Sequence, residues 1–99
     1  MIRRVIVRPA ALEDIAKAAT WYDAQSPGLG LDLTDEIIRA IHRARESPEL
    51  FRILRSRDGM RRVLTDRFPY RVFFTVTTDT LHVHAVLHGA RHDTHWRSR

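Results

Sequence analysis

The residues best suited to chemistry lie on two predicted strands between Phe68 and Arg91. A short polar run, Thr77 to Thr80, separates two segments in which side chains alternate with a period of two, which is typical of a β-hairpin. One face of each strand should therefore pack on a core, through Val72, Phe74, Val76, Leu81, Val83, Ala85 and Leu87. The chemically active outward set comprises Arg71, Phe73, His82, His84 and His88. Such a face could stack on rings and bind anions.

The positive charge is concentrated in the second half of the chain. Residues 1–50 carry seven Arg and Lys against eight Asp and Glu, whereas residues 51–99 carry ten arginines against four aspartates. Sixteen of the seventeen basic residues are arginine, whose planar guanidinium group suits phosphate and carboxylate. This predicts an anionic partner, either nucleic acid or an acidic protein segment. The alternative is a solvated arginine-rich surface with no partner.

Six histidines raise the question of a metal site. His82 and His84 are two apart on a strand and project to the same side, with His88, His92 and His95 following. Zinc requires three or four converging ligands, and the chain has no cysteine. We therefore predict polar strand-face histidines, with no metal and no cofactor.

Length and composition limit the chain to a small globular class. Its 99 residues suit one domain, residues 1–99, with a two-layer core. No run approaches the ~20 apolar residues that cross a membrane, and the N-terminus is too short and too mixed for a signal peptide. No cysteine is present for a disulfide framework. We expect a cytoplasmic protein without a membrane partner.

Two helices and four strands are predicted to position these residues. In order, they are a strand at 2–8, helices at 10–24 and 29–46, a short strand at 59–65 and the two strands of the hairpin. Pro9 suits a first helical turn, and Ser47-Pro48 stops the second helix. The segment 49–58 is predicted to be a connector.

The order β-α-α-β-β-β predicts an α+β fold. A helix hairpin should pack on one face of a mostly antiparallel four-stranded sheet, with the other face open. The alternation places Ile2, Ile6, Phe73 and Val86 on that open face.

Several motifs, taken in order, resemble the ParE/RelE toxin superfamily. They are Val-Arg-Pro-Ala-Ala-Leu-Glu-Asp-Ile at 7–15, Trp21-Tyr22, Pro27-Gly28-Leu29-Gly30, Ser47-Pro48, Arg61-Arg62, Phe68-Pro69-Tyr70-Arg71 and Val86-Leu87-His88-Gly89-Ala90-Arg91. The resemblance covers nearly the whole chain and is greatest to the ParE-like, plasmid stabilisation branch of type II toxin–antitoxin systems. It implies a RelE/ParE-like fold and a small cytoplasmic toxin, encoded with an antitoxin that neutralises it.

The ParE branch implies inhibition of DNA gyrase by protein binding, which requires a surface and no catalytic set. The residues predicted for this surface are Arg61, Arg62, Arg71, Phe73, His88, Arg91 and Trp96. The absence of a C-terminal tyrosine favours this branch over the RelE branch. For Arg71, the alternative is a surface ion pair with an acid such as Asp93.

The RelE branch implies an alternative, a ribosome-dependent endoribonuclease acting on mRNA. That resemblance places Arg71 and Arg91 on two charged active positions, and Arg61 or Arg62 near a basic pair. Arginine is a poor general base, so a C-terminal histidine would have to transfer protons. The predicted ribonuclease set is Arg62, Arg71, Arg91, His92 and His95.

An acidic antitoxin, encoded adjacently, is the predicted partner in a toxin–antitoxin hetero-oligomer. Exposed sheet edges accept an added strand, and a basic toxin is matched by an acidic partner. The antitoxin would cover the apolar residues of the open face; the alternative is that the C-terminal tail covers them through Trp96. A further hypothesis is a non-toxic, degenerate member that only binds the antitoxin.

Overall fold

The computed structural model describes residues 1–89 and 96–97, which form two helices and five strands. In chain order these are β1 (Arg4–Val7), α1 (Pro9–Gln25), α2 (Leu29–Glu46), β2 (Ile53–Arg55), β3 (Met60–Leu64), β4 (Tyr70–Thr77) and β5 (Thr80–His88). A 3-10 turn, Pro48–Leu50, connects α2 to β2. None of these helices is long and apolar enough to span a membrane. Both predicted helices are confirmed, with α1 one residue longer at each end.

The helix hairpin depends on two glycines in its connection. Gly28 precedes α2 with a φ of 92°, in the left-handed region that favours glycine. Gly30 lies in the first turn of α2, where an added Cβ would stand 2.5 Å from the carbonyl oxygen of Ala19. Its N–H donates to Asp23 Oδ1 at 2.8 Å. This close approach lets the two helices, which together cover the sheet, pack tightly against each other.

The sheet contains five strands in the order β1-β5-β4-β3-β2. β1 runs parallel to β5, and the other neighbouring strands are antiparallel. The predicted, mostly antiparallel four-stranded sheet is therefore corrected to a mixed sheet of five. The additional strand, β2, lies in the predicted connector. Its three residues, with a register irregularity between Ile53 and Arg55, are too few to give a periodic signal.

β5 contains a bulge at His84. Between two successive pairs with β4, the pairing on β5 steps from Ala85 to Val83, so His84 is the extra residue. The side-chain alternation therefore changes register within the strand. Before the bulge, Leu81 and Val83 face the helices. After the bulge, Ala85 and Leu87 face the opposite side of the sheet. The prediction that these four residues share one face is wrong.

Both faces of the sheet carry a buried apolar cluster. The larger cluster lies between the helices and the sheet and includes Leu33, Ile37, Val72, Phe74 and Leu81. The smaller cluster lies on the face away from the helices, which we call the outer face. It consists of Met60, Phe73, Ala85, Leu87 and Trp96, with Leu54 packed against it. The outer face is therefore covered in part and open in part.

Four apolar residues were assigned to the open face by alternation, and the structure separates them. Phe73 belongs to the outer-face cluster, as predicted. Ile2 and Val86 are instead buried in the larger cluster, Val86 because it follows the bulge. Ile6 on the edge strand β1 keeps an exposure of 38%. The assignment is thus corrected for Ile2 and Val86.

Two helix carboxylates satisfy backbone groups of the sheet layer. Glu36 is buried, and its Oε1 accepts the N–H groups of Arg67 at 2.5 Å and Phe68 at 3.0 Å. Asp14 Oδ2 accepts the N–H of Val86 at 2.9 Å. These bonds fix the loop that enters β4 and the part of β5 that extends past β1.

Candidate functional site

Two of the predicted site arginines share the outer face. Arg62 pairs with Phe73, and Arg71 pairs with Leu64 on one side and Leu87 on the other. Cross-strand partners point to the same face of a sheet, and Phe73 and Leu87 belong to the outer-face cluster. Arg62 and Arg71 therefore occupy diagonal positions on adjacent strands at the border of that cluster. Both side chains are half-buried.

Arg61 lies on the opposite side of the sheet. It pairs with Phe74, which belongs to the helix-side cluster, and its Nη1 donates to the carbonyl oxygen of Phe51 at 2.6 Å. The consecutive pair Arg61 and Arg62 is thus divided between two faces, as strand geometry requires. The predicted group of site arginines does not form one surface at this position.

The described end of the chain covers the centre of the outer face. Trp96 stacks on Phe73 with ring centroids 5.4 Å apart and planes inclined by 19°. The two side chains are 3% and 1% exposed, respectively. The alternative in which the tail covers this face through Trp96 is therefore the observed one. Phe73 and Trp96 therefore lie beneath the surface, and neither side chain is accessible to a partner in this arrangement.

Arg55 holds this end of the chain against β2. Its Nη1 donates to the carbonyl oxygen of Arg97 at 2.9 Å, and its Cζ lies 5.0 Å from the Trp96 ring centroid. Asp58 orients the guanidinium group through an Nη2–Oδ2 contact of 2.6 Å. The hydrogen bond from Arg55 lowers the pKa of Asp58 below 3.8, and the same bond raises the pKa of Arg55. Both groups are charged at neutral pH.

A polar half of the outer face lies beside the Trp96 cluster. His84 shares a hydrogen bond with Thr75 Oγ1 at 2.8 Å, and His82 shares one with Thr77 Oγ1 at 3.0 Å. The two imidazole rings stack with centroids 6.2 Å apart. Burial, followed by the charges of His82 and Arg8, lowers the pKa of His84 below 6.5. His84 is therefore neutral at pH 7 and offers hydrogen bonds instead of fixed charge.

His88 lies apart from the other two strand histidines. It pairs with Tyr70, and the two rings meet edge to face with centroids 5.3 Å apart. Tyr70 belongs to the helix-side cluster, so His88 lies on that side of the sheet. The predicted row of three outward histidines on β5 is wrong for His88, because the bulge reverses the alternation before it.

The C-terminal part of the predicted site lies outside the described residues. This applies to Arg91, His92 and His95, and also to Asp93 as the suggested partner of Arg71. Of the ribonuclease set, the structure places Arg62 and Arg71. Over residues 1–89 and 96–97, no group of three or more His, Asp or Glu side chains converges in a way that could hold a metal ion.

Sequence reasoning missed a cleft between the end of α2, the 3-10 turn and β3. Its volume is about 400 Å³, and its lining includes Arg43, Leu50, Arg52, Arg62, Leu64 and Asp66. Arg62 is the predicted site residue that reaches it. The available signal was the mixture of arginines and leucines in and around the segment 49–58, which is predicted above to be a connector. Charge and exposed apolar area together indicate an interaction surface.

The architecture defines the class of protein to which the chain is similar. A solved structure described as "Chromosomal ParDE TA system from P. aeruginosa" superposes with a TM-score of 0.75 at 14% sequence identity. The match covers 89% of this chain and 96% of that chain. At this level of identity the likeness shows a shared α+β fold.

The family follows from the sequence match. The model of the family described as ParE toxin of type II toxin–antitoxin system, parDE, matches residues 5–93 of this chain. The chain therefore belongs to the ParE toxin family. No curated protein sequence matches the chain. The resemblance inferred from the ordered motifs is thus confirmed.

Proposed function

We propose that this protein is the toxin of a type II toxin–antitoxin pair, that it inhibits DNA gyrase by binding it, and that a cognate acidic antitoxin neutralises it. Membership of the ParE toxin family over residues 5–93 carries the proposal. The antitoxin partner, the hetero-oligomer and the cytoplasmic location are parts of the same proposal. Inhibition by binding needs no reacting group, only a surface of suitable charge and shape.

The outer face supports this proposal because it combines fixed cations with a rigid base. Arg62 and Arg71 flank a cluster that is closed by the stacking of Trp96 on Phe73. Half-buried arginine residues on neighbouring strands are held more firmly than arginines on flexible loops. Such a surface suits an acidic patch on a protein target, where charge sets orientation and association rate.

A supercoiling assay tests the proposal directly. Purified protein at micromolar concentration should inhibit supercoiling by DNA gyrase. Arg62→Glu and Arg71→Glu should each raise the half-inhibitory concentration by about tenfold or more, because each reverses a charge on the binding face. Arg39→Glu makes the same change on the exposed side of α2 and should have an effect of less than about twofold. Full supercoiling activity at micromolar toxin would contradict the proposal.

The ribonuclease remains the second candidate because Arg62 and Arg71 share one face. Diagonal positions on adjacent strands let two guanidinium groups approach the same phosphate. Transcript ends mapped after induced expression would then show new cleavage sites in translated mRNA that disappear in Arg71→Ala. New ends together with unaffected gyrase would favour this candidate. Expression without growth arrest would instead favour the non-toxic member.

A further inference from the structure

The cleft between the end of α2, the 3-10 turn and β3 has the size of a small-molecule site. Its volume is about 400 Å³, and pockets that hold small molecules have volumes of ~300–1,000 Å³. The lining comes from three segments, represented by Arg43 of α2, residues 50–52 after the helix and residues 62–64 of β3, with Asp66 beside them. A cavity of this size accepts a compact ligand and excludes a folded partner.

The charge of the cleft is positive. Its described lining contains the three arginines Arg43, Arg52 and Arg62 against the single acid Asp66. Asp66 Oδ2 lies 3.7 Å from Arg43 Nη1, and the Asp66 side chain is 80% exposed. Such an exposed ion pair contributes little, so Arg43 can turn to another anion. Guanidinium groups from separate segments that line one cavity suit a ligand carrying more than one negative charge, such as a phosphate ester.

Two backbone acceptors of the lining residues are already occupied by arginines. The carbonyl oxygen of Leu64 accepts a hydrogen bond from Arg43 Nη2 at 2.7 Å, and that of Phe51 accepts one from Arg61 Nη1 at 2.6 Å. A guanidinium group has five N–H donors, so Arg43 keeps donors for a ligand after it has bonded one carbonyl. The cleft therefore offers donors to an incoming molecule, which suits the acceptor oxygens of phosphate.

Exposed leucines add an apolar requirement. Leu50 and Leu64 are 78% and 53% exposed, and both line the cleft. They belong to different elements, the 3-10 turn and the end of β3. Inorganic phosphate would leave this apolar surface in water, whereas a ring attached to the phosphate would cover it. The cleft thus combines a site for an anionic group with a site for an apolar ring.

The floor of the cleft is closed by the packed core. Val63 is 2% exposed and belongs to the helix-side cluster. Phe51 meets Phe74 edge to face, with ring centroids 5.9 Å apart. Packing of this kind leaves no channel for a long acyl chain beneath the described lining. A flat ring can instead lie on this floor beside Leu50 and Leu64.

We propose that this cleft binds a nucleoside phosphate. The phosphate groups bond to Arg43 and Arg52, and the base lies against Leu50 and Leu64. Nucleobases stack on apolar and guanidinium surfaces whatever their identity, so the cleft selects the class of ligand and not one base. The proposal does not rest on the target of the toxin, because all of its evidence comes from the cleft.

The surroundings favour a single nucleotide over a nucleic acid strand. Glu49 precedes Leu50 in the chain and is exposed, and Asp66 lies two residues after Leu64. A strand that continued out of the cleft would bring its next phosphates towards these carboxylates. Binding along a strand instead needs cations that follow the backbone beyond one nucleotide.

Calorimetric titration of the full chain tests the proposal. The probes are ADP and GDP, with pyrophosphate and adenosine as arms that carry only the phosphates or only the base and sugar. At least one of the two nucleotides should bind about tenfold or more tightly than either pyrophosphate or adenosine, because it uses both parts of the cleft.

Two pairs of variants locate the site. Arg52→Glu should weaken nucleotide binding by about tenfold or more, whereas Arg57→Glu, an equally exposed position outside the described lining, should weaken it by less than about threefold. Leu50→Asn should weaken nucleotide binding by about tenfold and pyrophosphate binding by less than about twofold. Leu31→Asn, on the exposed side of α2, is the matched control and should leave both unchanged.

Four results would each overturn the proposal. They are no binding of ADP or GDP at millimolar concentration, pyrophosphate binding as tight as nucleotide binding, equal losses in Arg52→Glu and Arg57→Glu, and tighter binding of oligothymidylate than of either nucleotide. The second result would mean adhesion of anions only, and the fourth would mean a nucleic acid surface. None of these measurements involves gyrase, so the cleft and the gyrase proposal fail separately.

Discussion

The indole of Trp96 lies 5.4 Å from the phenyl ring of Phe73 and nearly parallel to it, which closes a second small core on the outer face. A sheet of this kind would otherwise expose Phe73 and Leu87 to water. The stacking therefore links the end of the chain to the stability of the sheet and to the position of the arginines around the cluster.

Removal of this stacking should destabilise the fold. We expect Trp96→Ala to lower the free energy of unfolding by about 3 kcal/mol, because it deletes a buried ring and leaves a cavity over Phe73. Urea unfolding measures the change. Trp21→Ala is the matched control, since Trp21 is 59% exposed, and it should cost less than about 1 kcal/mol. Similar losses in the two variants would contradict the assignment of a second core.

A phenylalanine at position 96 should be tolerated. Trp96 Nε1 is buried, and no hydrogen-bond partner for it lies among residues 1–89 and 96–97. Trp96→Phe keeps a ring on Phe73 and removes the buried donor, so its loss of stability should be smaller than that of Trp96→Ala by about 1–2 kcal/mol. Equal losses in the two variants would mean that the indole N–H makes an essential bond.

Gly30 should not accept a side chain. An added Cβ would stand 2.5 Å from the Ala19 carbonyl oxygen, so Gly30→Ala must separate the helices. We expect a loss of about 2 kcal/mol, read from the midpoint of thermal or urea unfolding. Leu31→Ala, at the neighbouring position of α2 with 65% exposure, should change stability by less than about 0.5 kcal/mol. An unchanged midpoint in Gly30→Ala would exclude the close approach.

Glu36 should be replaceable by glutamine but not by leucine. Its Oε1 accepts the N–H groups of Arg67 and Phe68, and a glutamine oxygen can accept the same bonds. Glu36→Leu leaves the buried N–H of Phe68 and the partly buried N–H of Arg67 without their acceptor and should cost about 2–3 kcal/mol, measured by urea unfolding. The loss in Glu36→Gln should be clearly smaller. If glutamine and leucine were equally harmful, the negative charge would matter more than the hydrogen bonds.

Stability should fall below pH 6.5 because of His84. Burial, His82 and Arg8 lower the pKa of His84 in the folded state, so the unfolded chain binds the proton first as the pH falls. The free energy of unfolding therefore decreases, through His84, as the pH falls from 6.5 to the pKa that His84 has in the folded state. Below that pKa His84 causes no further decrease. His84→Gln should flatten this part of the pH profile of unfolding. Identical slopes in the wild type and His84→Gln would contradict the role of His84.

The helices could be predicted because their signals are local. Pro9 opens α1, Pro27 and Gly28 separate the helices, and Pro48 follows α2, so element type and bounds agree closely with the structure. The sheet was predicted less well. Whether β1 pairs with β5 in parallel depends on the packing of both helices against the whole sheet. A short window of sequence carries no information about this packing.

The residues of the candidate site were chosen by residue type. The alternation along β5 then assigned some residues to the wrong face of the sheet. One inserted residue, His84, reverses the alternation on β5 and moves His88 and Val86 to the helix side. Bulges leave no reliable mark on a period-two pattern. The cleft at the end of β3 was missed because its lining comes from three segments that meet only after folding.

The pairing of β1 with β5 joins the first strand of the fold to its last strand. The parallel ladder cannot form until Thr80 to Val83 of β5 have been synthesised, because these are the residues with which β1 pairs. A product that terminates before β5 would lack the strand that lies between β1 and β4 and pairs with both. The topology thus makes assembly nearly all-or-none, and only a polypeptide that includes β5 can present its arginines in the arrangement seen here.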